Sequence, residues 1–274
     1  MQLVATSSAP AGNGRGPTVG ELLRRWRTQR RLSQLDLAGR AAVSARHLSF
    51  VETGRSRPSR ELVLHLAEHL DVPLRDRNAL LLAAGFAPSF RERSFDDAEM
   101  APVRDALAAL LAGQEPFPAM VVDRRWNILD ANRPVFDLLT EGVSPHLLEP
   151  PLNALRVLMH PDGLAPRVVN FAEYTARLVD RVRREAEAFG DPGLAELHDE
   201  LLGYPGVAGS PSPTDTAGEV VTTLVLRDGE ATLRFFSTLA TFGTARDVTV
   251  EELSIEQFFP ADALTAETLR ARWG

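Results

Sequence analysis

The residues in this chain best suited to recognition chemistry are hydrogen-bond donors gathered between positions 34 and 59. Arg46 carries a guanidinium fork that matches guanine O6 and N7, a contact worth about 1–3 kcal/mol of discrimination between bases. Ser44, Ala45, His47 and Ser49 share its short stretch. For His47 a phosphate contact or plain exposure to solvent is favoured over base reading. Arg55 and Arg57 follow at a spacing that suits phosphate contacts, which position a protein on a duplex without reading its sequence. Gln34 and Ser59 each stand where a helix begins, where backbone N–H groups and short polar side chains favour an anion.

Nothing comparable points to catalysis. The sequence contains no His-Glu-x-x-His, Gly-x-Ser-x-Gly, P-loop or Gly-x-Gly-x-x-Gly arrangement. His198-Asp199-Glu200 lacks a second His at i+4 and reads as a solvated helix face, and His160-Pro161-Asp162-Gly163 reads as a turn. With no cysteine, disulfides, thiolate metal sites and cysteine nucleophiles are all excluded. The expectation is a protein that is not an enzyme and uses no cofactor and no metal.

The donors need a frame, and the apolar spacing around them supplies one. Leu37, Ala38 and Ala41, then Val43, then Leu48 and Val51 describe a helical face, a tight turn and a second helical face. Ser33 with Asp36 forms a capping box for the first helix, Ser44 caps the second, and Gly54 ends it. A preceding helix over about Val19–Arg30 would bury Leu22, Leu23 and Trp26 and turn Arg24, Arg25 and Arg27 to solvent. Ser59 caps a helix containing Leu62, Leu66 and Leu70, and Pro73 begins another through Leu80, Leu81 and Leu82 that stops at Gly85. Ser33-Gln34, Leu37-Ala38, Val43-Ser44, Glu52-x-Gly54 and Pro58-Ser59 together resemble the lambda-repressor/Cro-like (XRE) family from about Val19 to Ala84. That resemblance implies a five-helix head whose second motif helix enters the major groove.

Charge divides the chain the same way. Residues 1–93 hold 15 Arg against 8 acids, a net of +7, whereas residues 94–274 hold 15 Arg against 29 acids, a net of −14. A sequence pI of about 5.5 therefore averages a basic head and an acidic body. All 30 cationic residues are Arg, which reads mainly as coding bias and secondarily as a preference for bidentate contacts.

The reading gives a tail over 1–17, rich in Ala, Gly, Ser and Pro and expected to be disordered, a DNA-binding domain over 18–87, a polar linker over 88–102 and a second domain over 103–274. No apolar run reaches the roughly 20 residues of a membrane span. A cytoplasmic protein without membrane contact is expected. In the second domain a short helix spans Val103–Leu111. A hairpin joins Ala119–Val122 to Trp126–Leu129 through Asp123-Arg124-Arg125. A second joins Thr222–Leu226 to Thr232–Phe242 around Asp228-Gly229, a pair suited to a type I′ turn. Leu253–Phe259 is a further strand. Between the hairpins, Tyr174, Leu178, Val182 and Phe189 line one side of a helix over Glu173–Phe189, with Arg177, Asp180, Arg181, Arg183, Arg184 and Glu185 on the other. About five antiparallel strands interrupted by helices predict an α+β, PAS-like sensor domain, with a mobile loop over 203–219.

DRRWNILDAN (Asp123–Asn132), LMHPDGLAPRVVNF (Leu158–Phe171), LGYPG (Leu202–Gly206) and FFSTLATFGTARDVTVEELSIEQFFPADALT (Phe235–Thr265) resemble the ligand-binding domain of the MmyB-like transcription regulators. The resemblance implies a PAS-like sensor that holds a lipid-like or other small amphipathic ligand. Two positions depart from it: Ala131 replaces an aromatic before Asn132, a change expected to enlarge or reshape a cavity, and Ala245 replaces a Pro. Trp126, Phe136, Leu155, Phe171, Tyr174, Phe235 and Phe242 are the candidate apolar walls. Asn132, Arg156, His160 and Asn170 are the candidate polar groups, with Arg156 the first choice for a carboxylate head group.

The expected function is a one-component transcription regulator. A homodimer would read a double-stranded DNA operator through its heads, under control of a small amphipathic ligand in the body. The alternative is a ligand-independent DNA-binding protein whose second domain only dimerises or recruits a partner.

Overall fold

A Thr18–Glu21 capping box starts the first helix, α1 (Val19–Gln29), with both reciprocal hydrogen bonds formed. The computed structural model describes residues 16–207 and 221–274. Most of the expected tail and the 208–219 part of the expected mobile loop lie outside these residues. The described residues fall into two units, divided between Arg91 and Glu92.

The first unit is all helix: α1, α2 (Gln34–Arg40), α3 (Ala45–Glu52), α4 (Arg60–His69) and α5 (Leu74–Ala83). Ser33, Ser44 and Ser59 each accept a backbone N–H from the first turn that follows, and Gly54 and Gly85 supply positive φ after α3 and α5. Leu23, Trp26, Leu37, Leu48, Val51, Leu66 and Leu80 meet in one core. Gly20 lies where a Cβ would stand 2.5 Å from the Val51 carbonyl oxygen and 2.6 Å from that of Glu52, so α1 and α3 touch backbone to backbone. Arg27, expected in solvent, is buried against Glu52, because α1 packs on α3 along both Leu23 and Arg27.

The 88–102 stretch divides between the two units. Asn78 holds the backbone of Ser89 and Phe90 to the first unit. Beyond it, Arg93 pairs with Asp247 at 2.6 Å and Phe95 packs with the second unit's core. A 3₁₀ turn over Ala98–Met100 then leads into α6 (Ala101–Gln114), longer than the expected helix because Pro102 is accommodated in its first turn.

The second unit is built on five antiparallel strands, β1 (Ala119–Val122), β2 (Ile128–Ala131), β3 (Leu224–Asp228), β4 (Ala231–Thr241) and β5 (Ser254–Pro260), in the order β2-β1-β5-β4-β3. Both hairpins form, with local corrections. Asp123 accepts the N–H groups of Arg125 and Asn127, so Trp126 sits in the turn at φ 65° and β2 begins two residues later than expected. In the second hairpin Asp228 pairs with Ala231, leaving Gly229-Glu230 as the loop. Positive φ falls at Gly229 and not at Glu230, the pattern of a II′ turn rather than I′.

Alternate residues of each strand face opposite sides of the sheet. Ala119, Val121, Leu253 and Ile255 pack with Leu107 and Leu111 of α6. Met120, Val122, Phe235 and Phe258 face the helices inserted between the hairpins. These are α7 (Arg133–Thr140), α8 (Ala154–Met159), α9 (Phe171–Phe189) and α10 (Pro192–Leu202). A short α11 (Val248–Glu252) precedes β5, and α12 (Ala263–Trp273) follows it, with Leu269 buried beside Phe235. No described helix is long and apolar enough to cross a membrane.

Candidate functional site

In the first unit, Ser44 caps α3 by accepting the His47 N–H at 3.4 Å, leaving the N-terminal turn of α3 at the surface. Arg46 and His47 are exposed there, and Ala45 and Ser49 are half-buried. The Arg46 guanidinium lies 5.4 Å from the Phe50 ring centroid, close enough for a cation–π contact. Arg55 and Arg57 are exposed in the loop after α3, where the Arg55 and Ser56 N–H groups both donate to the Phe50 carbonyl. Ser59 Oγ accepts the Leu62 N–H at the start of α4. The structure thus gathers Arg46, His47, Arg55 and Arg57 as exposed donors around α3.

Gln34 behaves differently from expectation. Its amide donates to Glu52 Oε2 at 2.8 Å. Glu52 also accepts Arg27 Nε and Nη2 at 2.7 and 2.8 Å, and Arg27 Nη1 donates to the Leu32 carbonyl. Burial pushes the Glu52 carboxyl up, but the hydrogen bonds from Arg27 and Gln34 outweigh it and hold it below the usual carboxylate range. This buried network was missed in the sequence. Its signal was there: Glu52 follows Val51 and lies at i+4 from Leu48, on the apolar face of α3.

In the second unit a cavity of about 80 Å³ lies between the inner face of the sheet and the helices. Trp126, Leu155, Tyr174 and Phe235 line it, together with Met120, Leu138, Leu158, Leu178 and Phe258. The other expected pocket residues stand elsewhere. Asn132 is buried and structural, accepting the Ala119 N–H and donating to the Leu111 and Phe117 carbonyls. Asn170 ties α9 to β3 through the Thr223 carbonyl and the Val225 N–H. Arg156 is turned to Glu200, with three hydrogen bonds of 2.8–3.1 Å. Glu200 also accepts the Tyr204 hydroxyl at 2.5 Å, so it is more than a solvated acid.

Phe136 is 45% exposed on α7. Phe242 packs on the opposite face of the sheet with the α6 cluster. Phe171 is half-buried beside Gly206, next to the core clusters rather than in the cavity wall. Ala131 is buried on β2 but does not line the cavity, so its replacement of an aromatic does not enlarge that space directly.

His160 lies near His146 and Asp162, and the ligand atoms of these three side chains fall within 4.8 Å of one another. The His160 Nδ1 already accepts the Asp162 N–H at 3.0 Å, as the expected turn requires.

The sequence also missed the acid that reaches the cavity. Glu256 on β5 lines it at 3% exposure, and its Oε2 has no hydrogen-bond partner. Burial raises its carboxyl above the ordinary value, while Arg181 and Ser237 pull it partly back and Glu185 adds to the rise. Burial likewise raises the Tyr174 phenol. Arg181 and Glu185, expected on the outer face of α9, turn toward Trp126: the guanidinium is 4.5 Å from the ring centroid and Glu185 accepts the indole N–H at 3.3 Å. Arg181 and Glu185 also pair with each other at 2.8 Å.

Residues 103–271 match the family model of the MmyB-like transcription regulator ligand binding domain, and residues 18–80 match that of a helix-turn-helix domain. A search of curated proteins gave no match.

Proposed function

Because this chain belongs to the MmyB-like transcription regulators, we propose that it is a one-component regulator in which a small amphipathic ligand in the cavity of the second unit controls operator binding by the first. The observation that carries the reading is an apolar, aromatic-walled cavity inside the very segment that matches the ligand-binding family. A cavity of this kind favours a sensor over a domain that only dimerises or recruits a partner.

On the DNA side, Arg46 reads a base and Arg55 and Arg57 contact phosphates, with His47, Ser44 and Ser49 at the margins of the same surface. Ser59 and Gln34 are the weaker members, since one caps α4 and the other donates to Glu52. The protein acts as a homodimer on a two-fold operator. Ligand shifts affinity only through a difference in its binding to the two states of the protein.

Native mass spectrometry of the full chain, purified without detergent, tests the sensor half. A discrete small-molecule adduct that leaves on unfolding is expected. A bare protein unchanged by incubation with lipid extract would move the second unit to an interaction role.

A further inference from the structure

We propose that this cavity takes an apolar molecule carrying a protonated amine, and that the Glu256 carboxylate is its anchor. The inference rests on the reading of the cavity as the ligand site and adds the chemistry of the head group.

Charge bookkeeping around the cavity carries it. Arg181 is the cation beside Glu256, and it is already matched by Glu185 at 2.8 Å. Glu185 in turn accepts the Trp126 indole N–H. That leaves Glu256 buried, facing an apolar cavity, with Oε2 unpartnered and no counter-charge of its own. Such an arrangement is costly unless something completes it. An anionic head group would set a further negative charge beside two acids whose one cation is engaged. An ammonium supplies both the missing charge and the missing donor. The remaining walls suit it, because Trp126, Tyr174, Phe235 and Phe258 present aromatic surface to the same space.

The groups facing Glu256 are Arg181, Glu185 and Tyr174 of α9 and Ser237 of β4, while its partners across the sheet are Met120 on β1 and Leu239 on β4. When the amine enters as an ammonium, one of its N–H groups donates to Oε2.

Isothermal calorimetry on the full chain with hexylammonium chloride, sodium hexanoate and 1-hexanol tests this. Hexylammonium is expected to bind at least about tenfold tighter than either competitor. Glu256→Gln should erase the amine preference while 1-hexanol binding survives, and Leu155→Trp, which fills the cavity, should weaken all three.

Hexanoate binding as tightly as hexylammonium overturns the assignment. If hexanoate is preferred and Leu155→Trp abolishes it, the ligand cavity stands and only the amine falls. If none of the three binds, both fall. The comparison of the three ligands on the unaltered chain needs no variant and decides the matter even if Glu256→Gln is poorly behaved.

Discussion

At the scale of single residues, two buried carboxyls give the protein opposite responses to pH. Glu52 is held below its ordinary range by Arg27 and Gln34. Its contribution to stability is present above the unfolded-state value of about 4.3 and is lost as pH falls through the lower folded-state value. Glu256 is raised, so its contribution is full below about 4.3 and is lost as pH climbs toward the folded-state value. Glu52→Gln should therefore flatten the acid limb of the stability profile. It should also destabilise by about 3–5 kcal/mol near neutrality, because Arg27 is left buried without its partner. Glu256→Gln should stabilise near neutrality, and urea unfolding across pH reads both. On the DNA surface, Arg46→Ala should relax discrimination at one base position by about 1–3 kcal/mol. Arg55→Ala should weaken all sequences alike and shallow the salt slope by about one unit. Titrations over a set of operator variants at several salt concentrations separate the two, and unchanged sequence preference in Arg46→Ala would put the wrong residue at the base.

At the scale of elements, close approaches and clamps set the frame. Gly20→Ala would drive a Cβ into the carbonyls of Val51 and Glu52. It should destabilise the first unit by about 1–3 kcal/mol and displace α3, which unfolding and DNA titration would both register. Asn132→Ala should leave the Ala119 N–H and two carbonyls without their partner, at about 1–3 kcal/mol per orphaned group. The elements themselves were legible because capping serines, hairpin turns and a helical period are local signals, readable at Ser33, Ser44, Gly229 and along α9. The cavity was legible only in part. Trp126, Leu155, Tyr174 and Phe235 announce themselves as apolar or aromatic residues on elements expected to face the core. Glu256 does not, because β5 belongs to a sheet packed on both faces. Alternation there cannot tell an inward acid from an outward one, and Ser254, Glu256 and Phe258 mix polar and apolar on one side. Arg156 misled for the converse reason. Its chemistry suited a carboxylate head group, but Glu200, far away in sequence, claims its guanidinium.

At the scale of the whole molecule, a homodimer on a two-fold operator predicts a helical-phase dependence. Half-sites about 34–36 Å apart should bind best. Inserting about half a turn between them should abolish cooperative binding, and about a full turn should recover part of it. Gel-shift assays with spaced operators would show this, and indifference to spacing would argue for monomers reading alone. The chain carries three tryptophans, and their surroundings differ. Trp26 is sealed in the core of the first unit, Trp273 donates to Asp137, and Trp126 forms a wall of the cavity with a guanidinium over its face. The protein thus contains its own optical gauge. With Trp26 and Trp273 replaced by Phe, the emitted light comes from the cavity wall alone, and its colour and intensity report occupancy without any attached dye.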